Sequence, residues 1–258
     1  MRAGGRALVW VVSGFLAACS PNTPAPEATS PSAPTAAAPA PSKGAATAPQ
    51  PPAKAFQVTA AEKAFTDYAA PDDRALAWVG QYYAVTKTKV DYTAVAQRLD
   101  ATYRQVSNAF AKRDALAAFK TKLDQAIAEA SANPYIRLPP FQADLAPYDL
   151  DGQRYALAEL LAPDSIVDVA NGAAQVRFAP AEALASYAPA NEAEARTVEH
   201  TLSHEAFPRK VEVTVFGKVV DGELVGGRPR LVVLPARVAL TTFSLEGPGR
   251  PVLTATVP

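Results

Sequence analysis

Hydrophobic residues in this chain recur every three or four positions up to about residue 132, and every second position in several stretches after about residue 135. The first spacing places side chains along one face of a helix, and the second places them on one face of a strand. Tyr92, Val95, Leu99, Tyr103, Val106 and Phe110 form the clearest helical stripe, and Leu116, Phe119, Leu123 and Ile127 repeat it out of phase. One straight helix over 91–132 would be ~63 Å long, whereas a domain of this size has a radius of gyration of only ~16 Å. The spacing therefore predicts a helical hairpin or one bent long helix, broken near Lys112–Asp114 with Asp114 as N-cap, and Asn133-Pro134 ends the run. Upstream, Thr59-Ala60-Ala61-Glu62 matches a capping box for a short helix to about Tyr68. Pro71, Asp72 and Asp73 suit the first turn of a second helix that ends near Thr86. The stripe's aromatic face is suited to the domain's own core before a lipid or partner surface.

In the second half, Ile166–Ala170 and Ala174–Phe178 flank Asn171-Gly172, a strong hairpin signal. Asp151-Gly152 marks a second hairpin between 148–150 and 153–155. Val211 to Val220 alternates and is ended by Asp221-Gly222, and 231–234 and 238–243 read as strands separated or bent at Pro235. An Ala- and Glu-rich stretch at 181–206 has room for a helix. Helices first and strands second point to an α+β fold. The expected architecture is N-terminal helices packed on one face of a mainly antiparallel sheet of five to seven strands. Exposed sheet edges invite strand addition in general.

The N-terminal 55 residues follow neither period. Arg2 and Arg6 precede an apolar run from Ala7 to Leu16, then Ala17, Ala18 and Cys19. A basic start, about ten apolar residues and small residues at the end describe a secretory signal peptide, and the run is too short to span a bilayer. Leu16-Ala17-Ala18-Cys19 resembles the lipobox of bacterial lipoproteins. That resemblance covers only about the first 20 residues. It implies cleavage between Ala18 and Cys19, diacylation of the Cys19 sulfur and usually acylation of the new amino terminus. The alternative is a secreted protein whose signal peptide contains a cysteine. Two or more acyl chains make a stable anchor. Ser20 in place of an aspartate, by the same resemblance, favours the outer membrane, with the domain facing the periplasm.

Residues 20–55 are dominated by Ser, Thr, Ala and Pro, with no aromatic, Val, Ile or Leu. Such a segment buries too little apolar surface to offset its ordering entropy. It reads as a tether, ~110 Å long if extended and ~35 Å as a coil, or as an O-glycosylated stalk. The expected organisation is a signal peptide over 1–18, lipidated cysteine and tether over 19–55, and one α+β domain over 56–258.

Charge narrows the partners. The chain has 25 basic and 25 acidic residues, and loss of Arg2 and Arg6 leaves 23 basic. Such a chain lacks the field of a nucleic-acid binder and offers no polybasic strip for anionic lipid. The expected partners are the membrane, through lipid on Cys19, and an envelope protein. Cys19 is the only cysteine, so the domain folds without disulfides.

Candidate chemistry gathers in Glu199-His200-Thr201-Leu202-Ser203-His204-Glu205, which holds both histidines. Histidines four apart share a helix or strand face and with Glu205 offer three metal donors. The glutamates lie outside the pair, unlike the zinc-protease pattern, and the competing reading is an exposed polar segment leading into a strand. Ser203 lacks a nucleophile elbow. Asp72/Asp73 and Asp149/Asp151 are explained by capping and turns before a glycosidase pair. No cofactor is implied. The sequence favours a lipid-anchored binding or assembly module; a periplasmic hydrolase or metal-dependent enzyme using His200 and His204 is the alternative, and a structural spacer a third.

Overall fold

A computed structural model describes residues 63–257, all of which fall in one compact unit. The lipobox, the tether and the Thr59–Glu62 capping box lie outside the described residues. Where the helix from Thr59 was expected to continue to Tyr68, the chain instead makes a 3-10 turn at Phe65–Asp67 and becomes extended at Tyr68. Ala69 then joins strand β1 (Tyr135–Arg137) by a parallel bridge to Ile136, donating its N–H to Tyr135 O and accepting from Arg137 N.

Helix α1 (Ala75–Thr86) buries Trp78 to Ala84 without interruption. A helix buried on all sides carries no polar stripe, and α1 fits that description because α4 (Ala109–Ala132) covers it on one side and the sheet on the other. Gly80 allows the α4 approach: a Cβ there would sit 2.7 Å from Ala126 O. Pro71 lies ahead of α1 rather than in its first turn. Asp72 takes a left-handed backbone (φ 46), and its carbonyl accepts the Trp78 indole N–H at 2.8 Å.

The long helical run is broken, but not at Lys112–Asp114. Asp100 ends α2 (Tyr92–Leu99) and caps α3 (Ala101–Gln105), accepting from Tyr103 N. Asn108 caps α4, accepting from Phe110 and Ala111 N. Asp114 lies inside an uninterrupted α4, exposed and paired with Arg113. The phase slip between Phe110 and Leu116 has a simple cause: Phe110 is not a core residue but 72% exposed.

The remaining strands are β2 (Phe141–Asp144), β3 (Tyr155–Ala156), β4 (Ile166–Val169), β5 (Ala174–Phe178), β6 (Ser186–Tyr187), β7 (Lys210–Val225), β8 (Arg228–Thr242) and β9 (Pro251–Thr256). Seven form one sheet in the order β1-β7-β8-β5-β4, with β2 also on β7 and β9 also on β8. Every pairing is antiparallel except β5 with β8. The fold is therefore α+β with helices packed on a mainly antiparallel seven-stranded sheet, as the pattern predicts. β3 and β6 form a separate pair.

One turn signal acts differently from expectation. Asp221-Gly222 does not end β7; the two residues pair with Val232 and Leu231 of β8 just past a register shift between Val219 and Asp221, and the chain turns at Gly226-Gly227, both at positive φ. Asp151-Gly152 closes the expected hairpin in minimal form: Asp149 and Arg154 make one antiparallel bridge, Asp149 N donating to Arg154 O at 2.9 Å and Arg154 N to Asp149 O at 3.3 Å, and the Asp149 carboxylate accepts from Asp151 and Gly152 N, while Tyr155 goes on to pair with β6. The Asn171-Gly172 hairpin forms between β4 and β5, and the 181–206 stretch contains α5 (Glu192–Ser203), capped by Asn191.

Val211, Val213, Val215 and Val219 of β7 face the main core with Trp78, Phe119 and Leu123. Alternate positions of β8, Val232 and Leu234, form a small cluster with Ala179 on the other face. Farther along that face Phe65 and Tyr68 stack edgewise on Phe216 at 5.6 and 5.8 Å. The Arg237 guanidinium lies over both the Phe65 and Phe216 rings, at 5.0 and 5.3 Å. Among the described residues no helix is long and apolar enough to cross a membrane.

Candidate functional site

Helix α5 carries His200 in its last turn and His204 at its C-cap. Both side chains are exposed. Their rings stack at 3.9 Å with 19° between planes. In-plane lone pairs of parallel rings run side by side and do not converge on one ion. His204 Nδ1 lies 2.8 Å from His200 O and 3.1 Å from Ser203 Oγ. Glu205, the third candidate donor, accepts instead from Arg250 at 3.0 and 2.5 Å. Among the described residues no group of three metal donors is assembled.

Glu199, one position before His200, points the other way, and sequence reasoning missed its role. Its Oε2 accepts from Arg209 Nη1 at 2.9 Å and its Oε1 from Tyr148 N at 3.0 Å. Arg209 also donates to the carbonyls of Leu145 and Ala146, at 2.8 and 2.5 Å. One ion pair thus fastens α5, the 145–148 segment and the entry to β7. Nearby, Tyr155 donates to Ala195 O at 3.1 Å, and Tyr187 donates to Glu194. Burial raises the Tyr155 phenol above its usual range. The Glu194 hydrogen bond pushes Tyr187 up to about 12. Glu199, Glu194, Tyr155 and Tyr187 are thus each engaged in a hydrogen bond between elements or at an element's end, and the cluster works as a fastening.

Burial is the largest single influence on Glu199 and raises its pKa. The Arg209 hydrogen bond, the Tyr148 N–H and the Arg209 charge together outweigh it and hold the carboxyl below its ordinary value. A depressed folded-state pKa contributes stability that is present above the unfolded value, about 4.3, and lost as pH falls through the folded one. Glu199→Gln is expected to cost about 1–2 kcal/mol at neutral pH, the lower part of the range for charged hydrogen bonds because the pair stays partly exposed. The variant's melting temperature should also fall less steeply than the wild type's below about pH 5. Parallel pH profiles would refute the assignment.

Two clefts lie along α4. One, of about 560 Å3, sits between α1, the α2–α3 junction and α4; Arg74, Lys122, Asp100 and Glu129 give it mixed charge over Leu76, Leu99 and Phe119. The other, of about 710 Å3, is bounded by Lys89–Thr93 and by Arg113, Leu116, Ala117 and Lys120 of α4. Its wall is fixed by Tyr92, whose hydroxyl donates to Asp124 at 2.6 Å and whose pKa that bond pushes up to about 12. Lys120 lies over the Tyr92 ring at 5.1 Å. Three cations and one acid line this second cleft, and the acid, Asp91, already caps α2 through Ala94 N.

No protein-family profile, curated protein or solved structure matches this chain.

The functional candidates therefore stand on the chain's own residues. The histidine cluster is brought together only as a surface stack. The charge of the second cleft comes from two segments more than twenty residues apart, so no local run announced it. Cys19 and Ala18 lie outside the described residues.

Proposed function

We propose that this chain is a lipid-anchored envelope protein, acting as a binding or assembly module at the outer membrane with its domain toward the periplasm. The observation that carries this reading is the basic, apolar and small-residue order that ends in Leu16-Ala17-Ala18-Cys19, followed directly by the Pro- and Ala-rich segment over 20–55. By its resemblance to a lipobox, the cysteine becomes the acylated first residue. The tether gives the domain ~35 Å of reach as a coil. The two clefts along α4 offer surfaces of the size that ligands and partners occupy.

The anchor is tested by metabolic labelling with palmitate in a Gram-negative host. The wild-type chain is expected to take label and to fractionate with outer membrane. Cys19→Ala should lose the label completely and leave the signal peptide uncleaved. Label retained in Cys19→Ala would refute the anchor. Crosslinking in the native membrane, followed by mass spectrometry, reads the partner. Recovery of one envelope component in excess of bulk outer-membrane proteins is the expected result. A profile equal to that of an unrelated lipoprotein would refute the binding module.

A further inference from the structure

We propose that the basic and aromatic face at the N-terminal half of α4 is a docking surface for an anionic phospholipid bilayer. The inference rests on the proposed anchor only for the presence of a membrane nearby. Phe110, Arg113, Ala117 and Lys120 follow one another at steps of three, four and three, so they share one face of α4. Phe110 is 72% exposed, and the Arg113 guanidinium lies 5.7 Å from its ring centre. Lys89 adds a third cation from the opposite wall of the 710 Å3 cleft, whose floor includes Val90 and Leu116.

Three acids lie around this face. Asp91 caps α2, and Asp124 accepts from Tyr92. Asp114 pairs with Arg113 at 3.0 Å, with both side chains largely exposed, where water screens the pair heavily. Asp114 and Asp124 do not line the cleft, whose own lining holds Lys89, Arg113 and Lys120 against Asp91. Lysines are depleted at the centres of protein–protein interfaces. At membrane surfaces, by contrast, they place an apolar stem along the acyl boundary and a charge among the headgroups. An exposed aromatic ring beside them fits the same boundary. The charge is local and the chain as a whole is near neutral, so composition conceals it.

The test uses the mature chain from residue 19 with Cys19→Ser, which carries no acyl group. It is floated with vesicles of pure phosphatidylcholine and with vesicles containing a minority of phosphatidylglycerol. Binding is expected only to the second set and should weaken as salt rises. Each cation neutralised among Lys89→Gln, Arg113→Gln and Lys120→Gln should weaken partitioning about fivefold, and all three together roughly 100-fold. Phe110→Ser should weaken it on the order of tenfold at unchanged salt dependence. All four side chains are at the surface, so circular dichroism should match that of the parent chain. Equal flotation with neutral vesicles, or undiminished flotation of the triple variant, would overturn the proposal. So would binding to dispersed short-chain phosphatidylglycerol as tightly as to vesicles, because the cleft would then be a pocket for one molecule. None of these outcomes bears on palmitate labelling at Cys19, so the anchor and the docking face fail separately.

Discussion

Gly80→Leu is expected to destabilise the domain by about 3 kcal/mol or more, the upper part of the range for overpacking. In melting temperature that is roughly 6–12 °C for a domain of this size. The reason is the contact between α1 and α4. A Cβ at Gly80 would meet Ala126 O at 2.7 Å, Ala126 C at 2.8 Å and Ala126 Cβ at 3.1 Å. The two nearest atoms are backbone, so no rotamer change relieves them. α1 cannot retreat either, because its other side is packed on β7 and β8. Gly80→Ala is the sharper experiment. Alanine gains ~1 kcal/mol of helix propensity over glycine, so a simple helix argument predicts stabilisation. The geometry predicts a net loss. Ala126→Gly should not rescue it, since that change leaves the carbonyl in place. Denaturant midpoints decide the matter: a Gly80→Ala protein as stable as the parent would mean that α1 and α4 separate freely.

Trp78→Ala should cost about 3–5 kcal/mol, the usual range for deleting a large buried aromatic. Trp78 is 0% exposed and belongs to the main core. Its loss has a second part, because the indole N–H satisfies Asp72 O in the turn leading into α1. Trp78→Phe separates the two. It keeps most of the ring volume and orphans that carbonyl, at about 1–2 kcal/mol. Equilibrium unfolding in urea measures both. A Phe variant as damaging as the Ala variant would show that the hydrogen bond, not the packing, dominates.

The pattern of hydrophobic positions carried much of this fold, and the places where it failed have physical causes. The Asn171-Gly172 hairpin and the helix inside 181–206 were legible because their signals are local. The end of α1 near Thr86 was legible too, although its first turn was not, since Pro71–Arg74 make a separate turn before it, with Asp72 left-handed. The spacing puts the helix break near Lys112–Asp114 instead of at Asp100 and Asn108 because Asp and Asn both make good caps. Only the surroundings decide which one is used. Asp221-Gly222 reads as a stop, yet both residues stay paired with β8, and the ladder adjusts by an irregularity at Val220 just before them. The Glu199–Arg209 pair left no signature, because ten residues and a turn separate its members. The histidines, four apart, were conspicuous by spacing, yet they lie on each other at the surface. Spacing places side chains on a face but does not aim their lone pairs.

The way the chain enters the domain sets how it would bear a load. Tension applied from the N-terminal side of Lys63 reaches the Phe65–Tyr68 turn first, then the two hydrogen bonds of Ala69 along the edge of β1. No helix lies ahead of them among the described residues. The first mechanical element is therefore a ring stack pinned by one guanidinium, Arg237 over Phe65 and Phe216. Peeling it requires sliding rings off a cation rather than shearing a ladder of backbone bonds. The domain would yield a few residues of slack at low force while the sheet stays whole, as a fuse does for the circuit behind it.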